Sequence, residues 1–120
     1  MIQYTLRLSY GDSYRGEDFF FEIESEIEMP VFPREGEIIF IGGFEDNEHG
    51  DYCEIAQVWH HPTKKQVIAE VELGPGYIWL AVEAWRKMPG NWRINEQSNG
   101  VQEKFLYFVE HPDELQEHKQ

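Results

Sequence analysis

Hydrophobic and polar residues alternate with a period of two over most of the N-terminal quarter of the chain. Apolar side chains fall on one side of residues 2–10, and the turn-rich segment 11–18 interrupts the pattern. The alternation resumes over 19–29, where a side of phenylalanine and isoleucine opposes a side of glutamate. A period of two indicates strands with one buried and one solvated face. We therefore expect two strands that form an N-terminal hairpin.

Three short hydrophobic segments follow a proline-containing stretch between Met29 and Leu73. They are residues 38–43, 53–61 and 66–73. The last two flank a Pro-Thr-Lys-Lys sequence, which is typical of a hairpin connection. The pattern predicts a small antiparallel β-module.

The sequences Pro30–Ile39, Ile55–His60 and Val67–Val71 resemble small bacterial and phage proteins of unassigned function. In those proteins a P-x-x-P-x-x-G-E sequence precedes an SH3-like β-barrel. The resemblance covers residues 29–73 and implies a partly open antiparallel barrel of about five strands. It implies no catalytic residue.

The C-terminal third is harder to interpret. Residues 77–88 fit a helix, because helix-forming residues outnumber β-branched ones and a Pro-Gly pair follows; their alternation also fits a strand. We predict a helix there, a loop over 91–100, a last strand over 101–110 and a polar tail over 111–120. The fold class expected is mainly β (α+β), with one domain spanning residues 1–110.

The chain has 120 residues and a formal net charge of −13, from 23 acidic and 10 basic residues. Hydrophobic residues make up 41% of it, which is enough for a core. Such a negative charge disfavours direct binding to nucleic acids or anionic membranes. We expect a protein as partner, with a basic one favoured, and a chain that is a monomer or a homodimer.

Three features predict a cytoplasmic protein. The single cysteine, Cys53, cannot form an intramolecular disulfide, which agrees with a reducing compartment. The alternating N-terminus does not resemble a signal peptide. No segment approaches the ~20 apolar residues of a membrane span.

Two groups of side chains are candidates for partner binding. The first is a row of glutamates on one side of the second predicted strand: Glu22, Glu24, Glu26 and Glu28. This row is either a docking stripe that attracts a basic partner or imitates nucleic-acid phosphates, or a solvated face that deters edge pairing. The docking interpretation predicts that reversing Glu24 and Glu26 to lysine abolishes binding without unfolding the protein.

The second group is formed by three tryptophans, Trp79, Trp85 and Trp92. Tryptophan is enriched at binding hot spots, but it also fills the cores of small β proteins. The two alternatives are a groove or dimer surface, and core packing.

We predict no catalytic, cofactor or metal site. Two sets of side chains contain metal-ligand types; they are His49, Asp51 and Cys53, and His111, Glu114 and His118. Their spacing does not resemble a zinc site, and the adjacent His60 and His61 point to opposite sides of a strand. No nucleophile elbow, phosphate-binding glycine loop or Cys-His signature occurs.

The function favoured by the sequence is a non-enzymatic soluble interaction module. The first alternative is an acidic inhibitor, immunity-type or nucleic-acid-mimic protein that binds a basic partner. The second is a small hydrolase or metal-dependent enzyme, because a fold does not limit which sites it carries.

Overall fold

The computed structural model of the chain describes residues 1–40, 52–95 and 102–115. Within these residues it contains seven strands and two α-helices. The strands are β1 (Ile2–Tyr14), β2 (Glu17–Met29), β3 (Ile38–Phe40), β4 (Tyr52–Glu54), β5 (Gln57–His61), β6 (Gln66–Leu73) and β7 (Arg93–Ile94). The helices are α1 (Ile78–Lys87) and α2 (Gln102–Glu110), and a short 3₁₀ helix spans Pro112–Glu114.

Five strands form one mixed sheet in the order β5-β6-β1-β2-β7. Strand β1 lies at its centre, antiparallel to β2 and parallel to β6. Strands β3 and β4 form a separate antiparallel pair. In the part of the chain that the structure describes, the five-stranded sheet is open, so the SH3-like barrel is not confirmed. The prediction of an antiparallel sheet is wrong. Strand β6 runs in the same direction as its neighbour β1, so the sheet is mixed.

The predicted N-terminal hairpin is confirmed, but its strands are longer than expected. They continue through most of the segment 11–18 and turn only at Arg15 and Gly16, whose φ angles are 55° and 83°. Two successive residues with positive φ give a turn whose twist matches that of the flanking strands. The resulting register pairs Tyr14 with Glu17.

The helices cover one face of the sheet and enclose the core. This inner face carries the apolar side chains that the alternation predicted, with Leu8 and Ile23 completely buried. Helix α1 contributes six buried residues to the same core. The ring of Phe105 on α2 lies 4.5 Å from that of Phe21 on β2, measured between centroids. Leu115 is also buried, so the start of the predicted polar tail joins the core.

The helix predicted at 77–88 is confirmed by α1, whereas the strand predicted at 101–110 is wrong. Residues 102–110 form α2, in which Phe105 is buried and Phe108 and Val109 are half-buried. This spacing of three and four residues defines one face of a helix. Neither helix is long and apolar enough to cross a membrane, as far as the described residues extend.

The segment 53–61, predicted as one strand, is divided between two sheets. Strand β4 pairs with β3, and β5 pairs with β6. The switch occurs at Ile55 and Ala56, whose amide groups donate to the carbonyl oxygens of Glu37 (2.9 Å) and Glu70 (2.8 Å). Of the predicted strand 38–43, the first three residues form β3, and the rest lies outside the described residues.

Candidate functional site

The sheet face opposite the helices, here called the outer face, carries most of the charged side chains of the strands. One row of residues on this face is in register across all five strands: Gln57, Glu70, Arg7, Glu24 and Arg93. Its four charged members alternate in sign from one strand to the next. We call these four residues the paired row, because adjacent opposite charges on a sheet attract one another.

Arg7 is the central cation of the paired row and contacts three carboxylates. Its Nε and Nη2 atoms each lie 2.7 Å from Oε2 of Glu24. Oε2 of Glu22 lies 3.4 Å from Nε, and Oε2 of Glu70 lies 3.7 Å from Nη1. The side chains of Arg7 and Glu24 are 18% and 9% exposed, so water screens them less than a surface pair. One guanidinium thus holds three carboxylates, and net negative charge remains around it.

Arg93 completes the row at the β7 edge. Its Nη2 atom lies 3.2 Å from Oε1 of Glu24 and 2.8 Å from Oε1 of Glu26. The buried hydroxyl of Thr5 also donates to Glu26, at 3.0 Å, and accepts a hydrogen bond from Gln66 Nε2 at 3.0 Å. These contacts bind together residues from β1, β2, β6 and β7.

The predicted glutamate row therefore divides into members with different environments. Glu24 is buried, Glu22 is half-buried, and Glu26 and Glu28 are exposed. A lysine at position 24 would face Arg7 and Arg93, so reversing this charge is expected to destabilise the fold. The binding test that the sequence suggested must therefore use other positions.

A depression of about 450 Å³ lies beside the paired row on the same face. We call it the acidic depression and define it by Gly11, Phe20, Glu22 and Glu72, all of which line it. Phe20 is 45% exposed and packs over Gly11, where a Cβ atom would lie 3.3 Å from the phenyl ring. The absence of a side chain at Gly11 therefore leaves room for an exposed aromatic ring on this face.

The carboxylates of the acidic depression are poorly neutralised. Glu22 shares Arg7 with two other glutamates, and Glu72 forms no ion pair with any described residue. The depression thus combines an aromatic ring with accessible negative charge, an arrangement that favours lysine or arginine side chains.

The tryptophan group lies mainly in the core. Trp79 and Trp92 are buried, with 6% and 8% of their surface exposed, and Trp85 is half-buried. The Trp85 ring packs edge-on against Phe105, with centroids 5.7 Å apart. Their burial favours the core-packing alternative over a groove.

The candidate metal ligands are only partly described. His49, Asp51 and His118 lie outside the described residues. Within the described ones, no group of three or more histidine, cysteine, aspartate or glutamate side chains is placed to hold a metal ion. Burial raises the pKa of the Cys53 thiol to about 12, so the thiolate needed for nucleophilic attack is scarce at neutral pH.

The sequence pattern did not identify Arg7 or Glu72 as neighbours of the glutamate row. The signal was present in the alternation of β1, where Arg7 falls on the polar side. Counting outward from Arg15-Gly16 pairs Arg7 with Glu24 and Gly11 with Phe20. Because the turn was expected to occupy all of 11–18, this register could not be assigned.

Comparison of the chain with protein-family models, with curated proteins and with solved structures finds no match.

Proposed function

We propose that the chain is a non-enzymatic interaction module of the cytoplasm that binds a basic partner protein through the acidic depression. The observation that carries the proposal is the exposed ring of Phe20 beside the carboxylates of Glu22 and Glu72. An aromatic ring binds the apolar stem and the charge of lysine or arginine, and the carboxylates accept their hydrogen bonds. The resemblance of residues 29–73 to proteins with an SH3-like barrel stays a prediction and adds nothing to this site.

The surrounding charge supports a basic partner over other classes. With a net charge of −13, the chain repels nucleic acids and anionic lipids and attracts cations over several ångströms. The negative charge around Arg7 adds to this attraction. Complementary charge also accelerates encounter with a basic partner.

The test compares two double variants that change the net charge equally. In Glu22→Gln/Glu72→Lys the charge inside the depression is removed at the position beside Arg7 and reversed at the exposed one, and in the control Glu35→Gln/Glu110→Lys the same changes are made at exposed positions elsewhere. Each tagged variant is used to capture proteins from an extract of the native host at low and high salt. The partner so identified is then titrated against each variant, after thermal unfolding has verified that the folds are intact.

We expect the depression variant to bind at least about tenfold more weakly than the control, and high salt to weaken binding by the wild type. Equal binding by the two double variants would contradict the proposal, as would a captured partner without net positive charge. Addition of duplex DNA separates the alternatives further. A partner displaced by DNA indicates the nucleic-acid-mimic alternative, whereas a partner that stays bound indicates a protein-specific interaction.

A further inference from the structure

A second cavity, of about 430 Å³, lies between the tip of the β1–β2 hairpin and α2. Four aromatic rings line it: Tyr14, Phe19, Tyr107 and Phe108. Tyr14 meets Phe108 edge-on, with centroids 5.6 Å apart, and Phe19 is buried behind them. We call it the aromatic cavity. Its volume falls within the range of small-molecule sites, and its rings offer flat apolar surface for stacking.

The remaining lining residues are charged: Arg15, Glu17 and Lys104. Arg15 is exposed at the hairpin turn and forms no ion pair with any described residue. Nζ of Lys104 lies 2.8 Å from Oε2 of Glu17, and both side chains are at least half exposed. The cavity lining therefore carries one net positive charge in a chain whose net charge is −13. This charge distinguishes the cavity from the acidic depression.

Both Arg15 and Lys104 can bind an anionic ligand. The guanidinium of Arg15 presents a planar donor pair that matches a carboxylate. The contact between Lys104 and Glu17 is a surface ion pair, and such pairs contribute little to stability. Lys104 can therefore exchange Glu17 for a ligand anion at small cost.

We propose that the aromatic cavity binds a planar aromatic carboxylic acid, whose ring stacks among Tyr14, Tyr107 and Phe108 and whose carboxylate pairs with Arg15 and Lys104. The site is separate from the acidic depression and takes a ligand of opposite charge. It does not depend on the partner-binding function proposed above.

The experiment is a titration of the full chain with naphthoate, in which amide-correlation NMR spectra are recorded at each ligand concentration. Naphthylmethylammonium, which has the same rings and the opposite charge, is the matched probe. We expect naphthoate to shift the amide signals around Tyr14 and Phe108 in a saturable manner, and the cation to bind more weakly. Shifts scattered over the molecule, no shift up to the solubility limit of naphthoate, or equal affinity for both probes would overturn the proposal.

Three variants and a control test which charged side chains interact with the carboxylate of naphthoate. Arg15→Gln and Lys104→Gln are each expected to weaken naphthoate binding by about tenfold, because each removes a charge-assisted hydrogen bond. Glu17→Gln is expected to tighten binding, since it frees Lys104 and removes a repelling carboxylate. Lys64→Gln, at an exposed cation in the β5–β6 turn, should bind as the wild type does. Equal weakening by Lys64→Gln and Arg15→Gln, or weaker binding by Glu17→Gln, would overturn the assignment.

Discussion

The paired row and the acidic depression lie side by side on one face of one sheet, yet their carboxylates have different roles. Glu24 in the paired row is buried between Arg7 and Arg93, and its charge is satisfied within the chain. Glu72 in the depression is exposed and contacts no described cation. The position of a glutamate relative to the two arginines, and not its place in a row of glutamates, therefore decides whether its charge is available to a partner.

Removing the central cation, Arg7, should destabilise the fold more than any other single change on the outer face. Arg7→Ala leaves three carboxylates facing one another, one of them buried, and should lower the free energy of unfolding by about 2–3 kcal/mol. Urea unfolding measures the loss. An Arg34→Ala variant is the control, because Arg34 pairs with Glu37 on an exposed turn. Similar losses for the two variants would show that the paired row is no stronger than a surface pair.

A smaller effect separates the two kinds of glutamate directly. Glu24→Gln removes charge-assisted hydrogen bonds from both arginines and should cost about 1–2 kcal/mol. Glu72→Gln should change the free energy of unfolding by less than about 0.5 kcal/mol, because its side chain is exposed. Both substitutions keep the side-chain shape, so urea unfolding compares charge alone. If Glu72→Gln proves the more destabilising, the proposed division of the outer face is incorrect.

A third prediction concerns the glycine beneath Phe20. Gly11 has ordinary backbone angles, and the ring that a Cβ would meet at 3.3 Å is exposed enough to move. Gly11→Ala should therefore stabilise the strand by about 0.5 kcal/mol while displacing Phe20 toward the depression. Gly16→Ala is the control, since its φ of 83° makes any side chain unfavourable and reverses the expected sign. Destabilisation by Gly11→Ala would mean that the ring is held firmly.

The smallest effect is expected at the exposed pair of Lys104 and Glu17, which contrasts with the paired row. Here the hydrogen bond and the charge of Lys104 lower the pKa of Glu17 below its usual 4.5. The pair contributes fully to stability above pH 4.5, where Glu17 is ionised in the unfolded chain as well. Its contribution is lost as the pH falls through the lowered pKa. Lys104→Gln should return the pKa of Glu17 toward 4.5 in an NMR titration and leave thermal unfolding at neutral pH unchanged. A marked loss of thermal stability would contradict this contrast.

The sequence predicted those elements whose signals are local. Alternation identified both strands of the N-terminal hairpin, and helix-forming residues before a Pro-Gly pair identified α1. Helix α2 was missed because its aromatic residues alternate as well as they repeat at helical spacing. Its helical form buries Phe105 against β2 and α1, a contact that involves residues far away in the sequence.

The candidate site was harder to predict for the same reason. Arg93 reaches Glu24 across 69 residues of sequence, from a strand of only two residues. No periodicity can identify so short a strand, and only tertiary packing brings it to the edge of β2. Glu70 joins Arg7 through a parallel pairing, whose register no hairpin turn determines.

The central position of β1 has a consequence for the order of folding. Its antiparallel partner β2 follows after a two-residue turn, whereas its parallel partner β6 lies about sixty residues away, a separation at which loop closure is slow. We expect the hairpin, with Arg7 and Glu24 already in contact, to form first and to act as the template on which β6 and β7 assemble. Stopped-flow measurements would then find that Glu24→Gln slows folding while Glu70→Gln mainly accelerates unfolding. The ion pairs of the paired row would then form in sequence, first between β1 and β2 at the centre of the sheet and later with β6 and β7.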